Sequence, residues 1–101
     1  MEFDYKSRIE ELEFDLPKIK RYFRDLRDFH NENNNYGEKV CLKLEECNNE
    51  IWGSITVFDY STHEVIGFEM EKDGFKKLVL DLTKWVLDFL KEEEERIWVH
   101  N

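Results

Sequence analysis

Proline and glycine are scarce in this chain, with one Pro and four Gly among 101 residues. Such scarcity leaves little room for long flexible linkers and predicts one domain over residues 1–101. Long hydrophobic runs are missing too. No apolar stretch approaches the roughly 18 residues that a membrane span requires. Met1-Glu2-Phe3-Asp4 is acidic, with no basic n-region or apolar h-region, so no secretory signal is expected. The two cysteines, Cys41 and Cys47, are too few for a disulfide framework. Reduced thiols in a bacterial-host cytoplasm are the expectation, with both side chains serving as small apolar filler.

Catalytic and metal-binding patterns are also lacking. The glycines are scattered, so no phosphate-cradling loop is present. His30, His63 and His100 have no partner at helical or strand spacing, and Cys41-x5-Cys47 is not a zinc spacing. Ser61 and Thr62 beside His63 read as turn chemistry, and Ser54 falls in the middle of an expected strand, so no activated nucleophile is assembled. The sequence therefore predicts a protein that is not an enzyme and takes no cofactor or metal.

What the chain has in abundance is charge, unevenly placed. Net charge is −9, with charged residues at 39% and aromatics at 15%. Residues 31–73 hold ten acids against three bases, a net of −7, while the segments on either side are each close to neutral. Direct binding to nucleic acid is disfavoured, because phosphates would be repelled. A basic protein is the natural partner for such a segment.

Periodicity supplies the elements. Asp15 can cap a helix that runs to His30, with Pro17 in its first turn, where the missing N–H costs nothing. Leu16, Ile19, Phe23 and Leu26 form its apolar stripe, with Tyr22 and Phe29 widening it. Its other side carries Lys18, Lys20, Arg21, Arg24 and Arg27, a solvated basic face or one that pairs with the chain's own acids. Before it, Ile9, Leu12 and Leu16 continue a heptad pattern, and Ser7 with Glu10 resembles a capping box. Pro17 argues against one long helix, so a separate strand or short helix is expected there.

Asn31 to Gly37 reads as a loop. Three strands follow, near 39–46, 51–60 and 64–72. Asn48-Asn49 serves as a tight hairpin turn and Ser61-Thr62-His63 as the second turn. Asp73-Gly74 then opens a second helix, with Asp73 as its cap. In that helix Phe75, Leu78, Val79, Leu82, Trp85, Val86, Phe89 and Leu90 make one stripe. The expected fold is α+β: a three- or four-stranded antiparallel meander packed with two helices.

Strand two presents Ile51, Ile55 and Val57 on one side and Trp52, Thr56, Phe58 and Tyr60 on the other. If both helices cover the Ile/Val side, the aromatics are exposed inside a rim of glutamates, the composition of a binding patch. If the helices sandwich the sheet, the aromatics are core. The expected partner-binding residues are Glu45, Glu46, Glu50, Trp52, Phe58, Tyr60, Glu69 and Glu71. Leu80 and Leu87, one heptad apart and opposite the main stripe, with Trp98, form a second candidate: a seam for a homodimer.

Two resemblances attach to these features. The acidic strands from Glu38 to Asp73 and the run Glu92–Glu95 make the chain look like the small acidic proteins that phages use against bacterial defence, including anti-CRISPR proteins. This resemblance implies a non-enzymatic inhibitor, in some cases a DNA mimic, acting on a nucleic-acid-binding effector or nuclease. The order "FDLPKIKRYFRDL", "GSITVFDY", "GFEMEKDGFKKLVLDL" resembles small bacterial immunity proteins, over about two-thirds of the chain. That likeness implies neutralisation of a cognate toxin. Both act by occlusion. The function expected is inhibition of a basic nucleic-acid-handling protein through an acidic surface, with toxin immunity or a self-associating regulatory domain as alternatives.

Overall fold

A computed structural model of the chain describes residues 2–34, 37–58 and 63–100, the last ten of them as backbone alone. The segment before Pro17 is a short helix, α1 (Lys6–Glu11), and not a strand. It ends where Leu12 turns extended, at ψ 132°. The heptad pattern does not continue as one helix, because the Pro17 ring would clash with the carbonyl one turn earlier. Nor does the Ser7/Glu10 capping box form. Ser7 Oγ instead donates to the Asp4 carboxylate, at 2.8–2.9 Å from its two oxygens.

The next helix, α2 (Leu16–Glu32), restarts at an extended Asp15 whose carboxylate accepts from the Lys18 N–H at 3.2 Å. That bond satisfies one of the unpaired first-turn donors. Asp15→Ala is expected to cost about 1 kcal/mol of stability, read as a lowered thermal midpoint. An unchanged midpoint would show that this cap contributes nothing. Ile19, Tyr22, Phe23, Leu26 and His30 are the buried positions of α2. The helix outlasts His30 by two residues. Asn33 stops it, bonding through its backbone N–H to the carbonyls of Phe29 and His30 and through Nδ2 to Phe29 O. Asn31 reaches across to the first strand, where its Oδ1 accepts from Val40 N at 2.9 Å and its Nδ2 faces Val40 O at 3.5 Å.

Three strands, β1 (Lys39–Cys47), β2 (Glu50–Phe58) and β3 (His63–Met70), form one antiparallel sheet in the order β1-β2-β3. Asn48 and Asn49 turn the first hairpin with φ of 51° and 67°. Two successive positive φ values suit the right-handed strand twist, and Asn tolerates them. His63, expected in the second turn, is instead the first residue of β3. The last helix, α3 (Phe75–His100), opens on Gly74, whose φ is +86° and whose carbonyl accepts from Leu78 N at 3.4 Å. Gly74, not Asp73, is therefore the capping position. The fold is α+β, with three strands, two principal helices and one short helix among the described residues.

One side of the sheet is buried. Val40 and Leu44 of β1, Ile51, Ile55 and Val57 of β2, and Met70 of β3 share one cluster with the apolar stripes of α2 and α3. Phe23 of α2 stacks on Phe68 of β3 with ring centroids 6.2 Å apart. Tyr22 OH and Thr83 Oγ1 join α2 to α3 by a buried hydrogen bond of 2.5 Å. Burial pushes the Tyr22 phenol up to about 12, opposed by that bond. The short helix is fastened twice: Arg8 pairs with Asp25 of α2 at 2.7 Å, and Lys76 Nζ of α3 donates to the carbonyl of Glu10. Both long helices thus lie on the same side, and the opposite face of the sheet carries none.

Candidate protein-interaction surface

Strand alternation and the pairing register set what the open face displays. Its rows, read across β1, β2 and β3, are Lys39–Phe58–His63, Cys41–Thr56–Val65, Lys43–Ser54–Gly67 and Glu45–Trp52–Glu69. Cys47 and Glu50 close it at the hairpin. All three large exposed apolar side chains of the described residues stand on this face: Trp52 at 45%, Phe58 at 37% and Val65 at 56%. The aromatics of β2 are therefore surface and not core, which decides between the two packings open to the sequence.

Charge on this face is polarised. Trp52 stands between Glu45 and Glu69, and its Nε1 donates to Glu50 at 3.2 Å. That bond leaves the indole's two faces for contact while satisfying its only polar atom. Neither this row nor the hairpin row beyond it contains a base. Lys39 and His63 stand in the row at the opposite end, and Lys43 in the row next to that of Trp52. Among the described residues, Glu45, Glu46, Glu50, Glu69 and Glu71 take part in no ion pair. Three cations of the helices, Arg8, Lys18 and Arg27, pair instead with Asp25, Glu13 and Asp28. In one of these pairs Glu13 receives a hydrogen bond from Lys18 and raises its pKa.

The expected partner-binding set is thus partly gathered. Glu45, Glu50, Trp52 and Glu69 share one patch. Glu46 belongs to the helix-facing set of β1, paired with Ile51, yet stays exposed at the hairpin end. Glu71 is exposed one residue past β3. Phe58 shares the open face but lies six residues from Trp52 along β2, roughly 20 Å at the rise of a strand. Tyr60 lies outside the described residues. Of the seam proposed for a homodimer, Leu80 and Leu87 are half-buried against the core, and the side chain of Trp98 lies outside the description. Cys41 and Cys47 are free but exposed, so neither is filler.

One feature escaped the sequence reading. His30 is fully buried, and its Nε2 faces Glu38 Oε2 at 3.9 Å, with both atoms unpaired. Its Nδ1 lies 3.5 Å from Asn31 Oδ1. Since that oxygen already accepts from Val40 N, Nδ1 must supply the proton if the two bond. Burial lowers the pKa of His30, and Lys39 adds to the effect. His30 and Glu38 are eight positions apart and lie on either side of the end of α2, so no periodic spacing marks the pair in advance.

Among the described residues, no three His, Cys, Asp or Glu side chains come together to hold a metal. Nor, among the described residues, is any helix long and apolar enough to cross a membrane. No family model, curated protein or solved structure matches this chain.

Proposed function

We propose that this protein is a non-enzymatic inhibitor that docks on a basic, nucleic-acid-handling protein through the acidic end of its open sheet face. The observation that carries this reading is the Glu45–Trp52–Glu69 row, an exposed indole between two carboxylates, with Glu50 fixing its N–H. Carboxylates on this end speed encounter with a positive surface, and the ring supplies the apolar anchor that slows release. A guanidinium is the cation best matched to it, since it stacks on an indole while forking to a carboxylate. Anti-defence and toxin-immunity versions of this reading use the same surface and differ only in whose nuclease or effector is occluded.

The test is the variant Glu45→Arg/Glu46→Arg/Glu50→Arg. It is expected to bind the target captured from a bacterial lysate by wild-type protein at least about tenfold more weakly, with the difference shrinking as salt rises. Its fold should persist, because two of the three side chains are exposed and the third is half-buried at the hairpin rim. Equal binding by variant and wild type at physiological salt removes the acidic end from the interface.

A further inference from the structure

The open face has a second property, independent of its acidic end: read row by row, it is complementary to itself. Its first row, Lys39–Phe58–His63, is a ring between two basic side chains. Its fourth, Glu45–Trp52–Glu69, is a ring between two acidic ones. A two-fold axis in the interface plane, crossing the strands midway between the second and third rows, exchanges the first row with the fourth. Glu45 of one copy then meets Lys39 of the other, Trp52 meets Phe58, and Glu69 meets His63. The same operation exchanges the two middle rows. Val65, the most exposed of the three apolar side chains, falls over Gly67, where even an added Cβ would find nothing nearer than 4.0 Å.

We propose that a second copy of this chain docks on the open face, sheet on sheet with strands antiparallel, in this register. Aligned stacking of two sheets is a common packing, and a two-fold contact requires a patch that matches itself. All three exposed apolar side chains of the described residues are covered in one step, and the unlike charges at the two ends of the face are brought opposite each other twice. The dimer does not rest on the basic-partner reading but competes with it: the Lys39–Phe58–His63 row of the second copy occupies the place a basic partner would take. The homodimer is then the form that masks the face while no partner is bound.

Sedimentation equilibrium over roughly 1–500 μM, a range spanning weak to moderate affinities, tests it. Wild-type protein is expected to dimerise reversibly. Lys39→Glu and Glu45→Lys should each weaken the dimer about tenfold, since each places like charges in contact at two symmetric points. The double variant Lys39→Glu/Glu45→Lys should return to near wild-type affinity. An equimolar mixture of the two single variants should form a heterodimer tighter than either variant alone. All these positions are exposed, so none threatens the fold. A wild-type monomer throughout, or a double variant no tighter than the singles, overturns the proposal. Its failure is separable from failure of the inhibitor reading. A monomer that still loses its target on reversal at Glu45, Glu46 and Glu50 leaves that reading intact, and a dimer obeying the charge swap whose target capture ignores the reversal leaves only the dimer.

Discussion

Gly53→Ala is expected to remove about 3 kcal/mol of stability, near the upper end of what overpacking costs. Gly53 lies on the helix side of β2, between Leu44 and Phe68. A Cβ built there collides with the carbonyl oxygen of Lys43 and stands 2.7 Å from Phe68 Cζ and 2.8 Å from Leu44 Cδ2. A flexible side chain can retreat from such a contact, but the carbonyl belongs to the β1 ladder and cannot move without breaking it. Displacing Phe68 also disturbs its stack on Phe23, one of the most deeply buried rings. The internal control is Gly67→Ala on the open face, where the added methyl meets only Gly53 O at 4.0 Å. It should change stability by no more than about 0.5 kcal/mol. Urea midpoints of the two variants decide the matter. Equal midpoints would mean that β2 can shift to admit the methyl and that the close approach is not required.

The second large effect is acid sensitivity at His30. Burial holds its folded-state pKa below the ordinary value of 6.5. The unfolded chain therefore takes up a proton first as pH falls. Stability contributed by the neutral ring is complete above pH 6.5 and is lost as pH falls from there toward the lowered folded value. The slope approaches about 1.4 kcal/mol for each pH unit within that window. The charged groups facing the ring from the start of β1 are Glu38 and Lys39, and from its own helix the neighbour is the neutral Asn31. His30→Phe removes the titrating ring while keeping an aromatic in place. Compared by urea unfolding between pH 7 and 5.5, above the range where most carboxylates titrate, it should lack this slope even if it is less stable overall. The same slope in both proteins would show that another group drives the acid response.

Much of this architecture was legible because it follows from local chemistry. Asp15 with Pro17 marked the start of α2, the paired asparagines marked the hairpin, and the alternation in β2 separated Ile51, Ile55 and Val57 from Trp52 and Phe58. What could not be read was which side the helices would take. Both sides of β2 are apolar enough to be core, and the choice is made by contacts between distant segments, such as Phe23 on Phe68 and Tyr22 on Thr83. The acidic patch was half legible for the same reason. Glu45 and Glu46 are neighbours in sequence but leave opposite sides of the strand, whereas Glu45 and Glu69 are far apart in sequence and flank one ring. Leu80 and Leu87 looked like surplus on α3, yet the core is wide enough to half-bury them. The His30–Glu38 pair joins the last turn of α2 to the residue before β1, a juxtaposition that no repeat or spacing encodes.

The Asn31 side chain has one more consequence. Cys47 and Glu50 flank a two-residue hairpin and exchange hydrogen bonds. By alternation along β1, the N–H and C=O of Val40 point away from β2, and these are the two groups that Asn31 meets. An incoming strand that tried to lengthen the sheet past β1 would find that rung already taken by an amide from the chain's own helix. Such plugging of an outer strand is a recognised defence against runaway cross-β stacking. Asn31→Ala should therefore leave a chain more prone to fibrillar self-assembly on prolonged incubation, even where its soluble association through the broad face is unchanged.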